Sequence, residues 1–454
     1  MGRGHSAVLS GLLAAGLCGG APLVAQTPPS AAPPAAEAPP PRIPVAAFAQ
    51  RDQFSSPLLS PDGTRIALYL PGEGRGGVAI LEAGTKKRLA NAVLGEDVEY
   101  NWHRWAGSDV VLISVSGTTT SGTTETRYSR LLALRVSTGD RWFIGPKSMG
   151  VEGDDLLHVA EDGSSILLSF QETIYDWPSV TRISLLDPHD RGKEVQGPVR
   201  YVWEWYADDK GVVRMGTGWL DGKMQVRYRK GEGADLKVVA RIGEDDDGKY
   251  WDVTRIVSGS DDAYILAEED DGRTVLARYN LATRAKVETV YRNDEWDVTD
   301  AWLDNAGKPY AVAFTDDRDR RVWLEPAMAK LQTQLEKALK YDEVWVGSHS
   351  RDKAKMLVFV GGEADPGGYF IYDAPRRALD HFGDLRPNLD LAMLARPKPV
   401  SYTARDGTKV AGYLTLPRGR APTGLPLIIM PHGGPYGPRP DSEPEHRQPL
   451  PVRE

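Results

Sequence analysis

Cysteine is all but missing: Cys18 is the only one in 454 residues, and it lies close to the N-terminus. Beyond it, a disulfide framework, a cysteine-ligated metal site and a cysteine nucleophile are all excluded. Helical periodicity is scarce, and phenylalanine (8) is outnumbered by tyrosine (18) and tryptophan (12). No block of basic residues stands against the formal net charge of −8. Acid and base are mixed along the chain, which argues against nucleic acid as a partner, because phosphate binding needs a concentrated basic patch. The 8 histidines are dispersed. The acidic runs Glu244-Asp245-Asp246-Asp247-Gly248 and Glu268-Glu269-Asp270-Asp271-Gly272 lack the spaced oxygen ligands and terminal glutamate of a calcium loop, so no metal or other cofactor is expected. Also absent is any Gly-x-Ser-x-Gly run, the turn on which a serine hydrolase exposes its nucleophile.

The N-terminus carries Arg3, then an apolar stretch over residues 7–25 that ends in small residues. This pattern predicts a secretory signal, residues 1–25, cleaved after Ala25, and hence an exported protein, periplasmic or secreted. A retained membrane anchor is the rival, but Gly16, Gly19, Gly20 and Pro22 interrupt the stretch, so no stable membrane span is expected after cleavage. Leu17 stands where lipid attachment at Cys18 requires a small residue. Residues 26–42 are almost entirely Pro, Ala and Ser, a composition that cannot bury apolar area and predicts an extended linker. Ile43, Pro44, Val45 and Phe48 then form a small apolar group, either docked or an exposed lead-in.

From about residue 51 to residue 385 short apolar or alternating runs are separated by Asp-Gly and related turns. Ser60-Pro61-Asp62-Gly63-Thr64 precedes Arg65-Ile66-Ala67-Leu68-Tyr69, and Glu161-Asp162-Gly163-Ser164-Ser165 precedes Ile166-Leu167-Leu168-Ser169-Phe170. Asp-Gly supplies the positive torsions of a tight hairpin turn, and β-branched and aromatic neighbours suit paired strands. Tryptophans recur just ahead of strand pairs, at Trp102 and Trp105, Trp203 and Trp205, Trp251, Trp296 and Trp302. Imperfect repetition at roughly 40–50 residues is the signature of propeller blades. The fold class expected is mainly β, a β-propeller over residues 43–390; about seven blades fit the length best, with six or eight left open. One segment breaks the pattern. Pro326 opens a stretch that places Met328, Leu331, Leu335 and Leu339 on one helical face, predicting a helix that packs on the propeller or, alternatively, binds a partner.

After the repeats, residues 399–404 and 409–416 read as a hairpin around Arg405-Asp406-Gly407-Thr408. Leu425-Pro426-Leu427-Ile428-Ile429-Met430 reads as a strand buried on both faces, as in the central sheet of an α/β domain. It leads into Pro431-His432-Gly433-Gly434-Pro435.

This arrangement, from Tyr402 and Asp406-Gly407-Thr408 through Gly412-Tyr413-Leu414 and Pro417 to the His-Gly-Gly-Pro run, resembles the prolyl oligopeptidase family of serine peptidases. Within that family the resemblance is to the acylaminoacyl-peptidase and dipeptidyl-aminopeptidase-like branch, and the Ser-Pro-Asp-Gly-Thr unit at Ser60 agrees with it. The resemblance implies that residues 391–439 begin an α/β-hydrolase domain, left incomplete, and that short peptides are the substrate or ligand. It also implies that His432, Gly433, Gly434 and Pro435 form an oxyanion loop with the Gly434 N–H as donor. It does not make His432 the catalytic base. In the family the serine, aspartate and histidine of the triad come later, so no catalytic residue is assigned here and the chain is expected to be inactive by itself. Ser348 and Ser350 flank His349, yet these lie among the repeats and read as surface polar chemistry. Residues 440–454 lose apolar character and carry four prolines, which predicts a disordered, out-of-frame tail. Two other readings stand beside the peptidase: a propeller module that binds peptide or cell-envelope material, and a non-functional gene fragment. The oligomeric state is left open.

Overall fold

The Asp-Gly turns fold as glycine torsions permit. Gly63 and Gly163 take φ of 69° and 73°, while the carboxylates of Asp62 and Asp162 accept the N–H of Thr64 (3.0 Å) and Ser164 (2.9 Å). Each turn reverses a first strand, Ser55–Leu59 or Asp155–Val159, into a second, Arg65–Leu70 or Ser165–Phe170. A Cβ added at Gly163 would lie 2.6 Å from the backbone N of Gly107, so the turn of one unit sits directly on that of the unit before it.

The computed structural model describes residues 43–121, 124–146, 149–243, 251–304 and 307–431. Seven antiparallel sheets follow in chain order, each an up-and-down meander. Blade 1 spans residues 55–93, blade 2 99–143, blade 3 155–196, blade 4 204–242, blade 5 251–291, blade 6 298–323 and blade 7 343–384. Blade 6 has three strands among the described residues and the others have four. Together they form a seven-bladed β-propeller, which settles the blade number that residue counting left open.

The apolar core lies between the blades. Leu112 and Leu131 of blade 2 pack with Ile166, Leu168 and Ile183 of blade 3, and Ile166, Leu167 and Leu168 are wholly buried. Burying such a side chain stabilises by about 1.5–3 kcal/mol. Five of these tryptophans belong to first strands rather than lying ahead of them: Trp102 and Trp105 in Glu99–Ala106, Trp205 in Glu204–Ala207, Trp251 at the start of Trp251–Ile256 and Trp302 in Val298–Leu303. Two of them reach across to the preceding blade. Trp105 Nε1 donates to Leu58 O (3.1 Å) and Trp205 Nε1 to Pro178 O (2.8 Å).

The ring closes between blades 7 and 1 without exchange of a strand. Phe54, Leu59, Ile66 and Leu68 pack against Leu357, Tyr369, Ile371 and Phe382 across this seam. Gln53 N donates to Leu385 O (2.8 Å), Leu59 N to Ser348 Oγ (3.0 Å), and Arg386 Nε to Asp52 (2.6 Å). Blade 1 begins and blade 7 ends on one side of the ring, the terminal face; the opposite side is the far face.

The helix Pro326–Leu339 forms with Pro326 in its first turn. Met328 and Leu335 are buried, with Leu331 and Leu339 beside them, against Val344, Val346, Met356, Val358 and Val360 of blade 7. Its apolar face is occupied, which supports packing on the propeller over partner binding. The lead-in Val45–Phe48 is a short helix with Val45 and Phe48 exposed.

The hairpin pairs Lys398–Thr403 with Lys409–Leu414. It is held to the terminal face by Tyr413, whose hydroxyl donates to Asp317 O (2.6 Å), and by the nearby Arg396–Asp342 ion pair (3.0 Å). The run 425–430 departs from expectation. It is not a strand, and Leu427, Ile428, Ile429 and Met430 are 74%, 83%, 78% and 87% exposed. A strand buried on both faces requires hydrogen-bonded neighbours and covering helices, and the described residues supply neither. The leader, the linker, the His432–Pro435 loop and the tail lie outside the described residues. Among the described residues no helix is long and apolar enough to cross a membrane.

Candidate functional site

The first strand of each blade runs from the terminal face to the far face along the inside of the ring. Neighbouring first strands run the same way, as the parallel bridge between Asp208 and Ile256 shows for blades 4 and 5. They enclose a cavity of about 1000 Å³ lined by the first strands of blades 3, 4 and 5, with Arg104 from blade 2 and Thr299 and Asp300 from blade 6. A second cavity of about 470 Å³ opens on the far face and includes Tyr310, His349, Arg351 and Lys353. Both are lined by Arg104, Val159, Ala160 and Glu161, so the two form one passage.

Charge is uneven along this passage. Toward the terminal face the lining carries Glu152, Asp155, Glu204, Asp252 and Asp300. Asp155 is only partly exposed, to the channel, and walled by protein elsewhere. Burial, and then the carboxylates of Asp154, Glu152 and Glu204, push its pKa up to about 7 against the opposing Ser169 hydroxyl. Glu204 accepts from Tyr206 Oη (2.8 Å) and Thr217 Oγ1 (3.0 Å). Burial and the Glu204 charge push the Tyr206 phenol above its ordinary range.

Toward the far face the lining is mixed: Arg104, Arg182, Lys210, Arg255, Arg351 and Lys353 stand beside Glu161, Asp209 and Asp304. Three residues along the same strand as Asp155, His158 is lowered to about 4 by burial and then by Arg182, Arg255 and Arg104, with Asp208 opposing. It is therefore neutral at pH 7. Lys210 lines the same end, and Arg351 Nη2 donates to Glu161 O (2.8 Å) at the rim.

The Ser348, His349 and Ser350 trio is not surface chemistry. Ser348 Oγ accepts the seam bond from Leu59, and His349 Nδ1 lies 2.9 Å from Ser350 O. Ser350 is buried and its hydroxyl donates to Asp352 (2.6 Å), closing a turn. No serine–histidine–aspartate relay is built there. In the acidic run of blade 5, Glu269 pairs with Lys286 (2.7 Å) and Asp271 with Arg292 (2.6 Å); the run 244–248 lies outside the described residues. The channel residues were not singled out from the sequence. A signal was present: Arg104, Asp155, His158, Glu204, Asp252 and Arg255 put charge or imidazole into first strands, while second strands such as Ser165–Phe170 are apolar.

A seven-bladed β-propeller pierced by a channel of uneven charge, followed by a hairpin on its terminal face, is a class of fold with known relatives. No protein-family model matches the chain. It is 28% identical over 228 residues to dipeptidyl aminopeptidase BIII of Pseudoxanthomonas mexicana, a match covering 48% of this chain and 32% of that protein. In fold it is similar to a puromycin-hydrolyzing peptidase of Mycobacterium tuberculosis (TM-score 0.53, 15% identity, 84% of this chain and 60% of that one). It is also similar to apo prolyl oligopeptidase B of Galerina marginata (TM-score 0.53, 11% identity, 83% and 57%). The chain thus spans well under two thirds of the length of these relatives. Sequence and fold together relate it to the prolyl oligopeptidase family of peptidases.

Proposed function

We propose that these residues are the substrate-admitting part of an exported serine peptidase of the prolyl oligopeptidase family that acts on short or unstructured peptides. The observation that carries this reading is the presence in one chain of a channelled seven-bladed ring and the Pro431-His432-Gly433-Gly434-Pro435 run. A cavity of about 1000 Å³ is at the upper end of small-ligand clefts. It admits extended peptide and excludes a folded domain. In the peptidase, acyl transfer to a serine develops negative charge on the scissile carbonyl oxygen, and the Gly434 N–H donates to that oxygen while His432, Gly433 and Pro435 shape the loop. Export rests on Arg3, the apolar stretch 7–25 and cleavage after Ala25.

Since no Gly-x-Ser-x-Gly turn exists in the 454 residues, they bind peptide without turning it over. The purified chain is expected to leave aminoacyl and acyl-aminoacyl p-nitroanilides intact and to bind an unstructured hexapeptide but not the same segment within a folded domain. Hydrolysis abolished by a serine-directed inhibitor overturns the assignment of inactivity. A second reading, a module that binds peptide or envelope material, is favoured by the channel, whose lining carries the aromatic side chains Trp203, Trp205 and Tyr206 among charged ones. Translating the DNA downstream of codon 454 in every frame separates the two: a Gly-x-Ser-x-Gly, Asp and His segment supports the peptidase, and its absence supports the binding module.

A further inference from the structure

The second and third strands of blade 2, Val110–Ser121 and Thr124–Arg135, are 12 residues each, whereas the next longest strand has 9. The excess projects beyond the blade. Pairing with the first strand stops at Glu99 and Ser116, and the fourth strand reaches only Leu132 to Leu134. The rungs from Gly117–Tyr128 to Ser121–Thr124 therefore form a two-stranded ribbon that rises about 17 Å from the terminal face. Its ladder has no bulge, and Thr118, Thr119, Thr120, Glu125 and Arg127 are exposed. Threonine suits a pleated surface, and neither proline nor lysine blunts the edges as in most free strands. Among the described residues, the outer edge of the third strand makes its last backbone bond at Ser129, whose N–H donates to Val151 O (2.9 Å). Bonding direction alternates along a strand, so Arg127 and Glu125 turn their N–H and C=O groups to the same open side.

We propose that this edge joins two copies of the chain, ribbon to ribbon and antiparallel, about a two-fold axis at Thr126. The inference is independent of the peptidase reading. In this register Glu125 stands directly across from Arg127 of the second copy, and Arg127 from Glu125 of the second copy. The two pairs exchange about four main-chain hydrogen bonds, and one surface patch serves both copies. The charges select the arrangement. A shift of two residues one way sets Glu125 against itself, and the other way sets Arg127 against itself; parallel pairing in register does both, and like charges directly opposite are unfavourable. Glu125 has no partner among the described residues. Arg127 uses Nη2 alone for Glu99 (2.9 Å) and Asn101 (3.3 Å). Its Nε and Nη1 donors remain for a second carboxylate, and the Glu99 pair is exposed enough to be shared or exchanged at little cost. So small a contact belongs to the weak, transient class of interface.

The test is sedimentation of the whole chain at low salt, from about 1 μM to about 1 mM. A reversible monomer–dimer equilibrium is expected, weakened by added salt, with amide exchange at Glu125 and Arg127 slowed in the dimer. Glu125→Arg and Arg127→Glu each place like charges in both pairs and should weaken association at least about tenfold. An equimolar mixture of the two variants restores opposite charges in both pairs, as does the double reversal in one chain. Each should recover the native affinity to within about threefold. Recovery in the mixture also shows that both single variants are folded. A monomer throughout the range overturns the proposal, as does a dimer that either single reversal leaves undiminished. Losses recovered neither in the mixture nor in the double variant overturn it too. Exchange at Glu125 and Arg127 that is already slow in the monomer means that another part of the chain covers this edge, and overturns it likewise.

Discussion

Ile166-Leu167-Leu168 in blade 3 and Leu427-Ile428-Ile429 after the ring are nearly the same tripeptide in different fates. The first is wholly buried, and the second is 74–83% exposed. Composition does not separate them. Ile166 and Leu168 belong to a strand paired on both sides, to Asp155–Val159 and Ser179–Ser184, and their side chains meet those of blade 2. The second tripeptide has no hydrogen-bonded strand beside it among the described residues. Apolar residues are stabilising only where other elements complete their burial, and the ring supplies its own neighbours while the segment after it does not.

The widest difference is expected from truncating each tripeptide. Leu168→Ala should cost about 2–5 kcal/mol through lost burial and a cavity, lowering the denaturation midpoint. Ile428→Ala should leave that midpoint within error, and a loss comparable to that of Leu168→Ala would show that the exposed run is packed in solution.

Acid sharpens the contrast inside the ring. Burial lowers His103 to about 4, so between pH 4 and 6.5 the unfolded chain binds a proton there that the folded chain does not, and stability rises with pH in this window. His158, also lowered to about 4, acts in the same sense, whereas Asp155, raised to about 7, acts in the opposite one. Replacing His103 by Gln should reduce the slope of stability against pH between 4.5 and 6 by up to about 1.4 kcal/mol per pH unit. An unchanged slope in denaturant titrations at several pH values would remove His103 from the account.

The smallest effect belongs to the boundary between the two regions. Tyr413→Phe removes the bond to Asp317 O, worth about 0.5–1.5 kcal/mol, and should speed amide exchange in residues 398–414 severalfold while the blades are unaffected. Equal acceleration throughout would mean that hairpin and ring unfold as one unit.

Much of the ring was legible in advance because its cues are local. Asp62-Gly63 and Asp162-Gly163 fix turns through their own torsions, Pro326 and the Met328, Leu331, Leu335 and Leu339 spacing mark the helix, and Arg405-Asp406-Gly407-Thr408 marks the hairpin. What was not legible depends on partners. The period of Leu425–Met430 is compatible with a buried strand, but whether it is one depends on neighbours elsewhere. The spacing of the tryptophans puts them ahead of strands, whereas several are within them, because their register depends on the preceding blade, as the Trp205 bond to Pro178 shows. The channel charges were missed for a related reason. Asp155 and His158 gain their meaning from residues on three other blades, and no local window contains those.

The seam between blades 7 and 1 bears on how the ring comes to exist. Leu59 and Ser348, which bond across it, are 289 residues apart, and Asp52 and Arg386 are 334 apart. Every other junction joins consecutive blades, so the entropy of loop closure falls most heavily on this one. Local meanders can form early; the closing contacts, being the least local, are expected last and to set the folding rate. Until then the molecule is an open arc, with the Phe54 and Tyr369 faces of its two end blades bare to solvent, and a neighbouring arc offers the same pair of faces. Ring and polymer compete for one interface, and the outcome is decided by concentration during that final step.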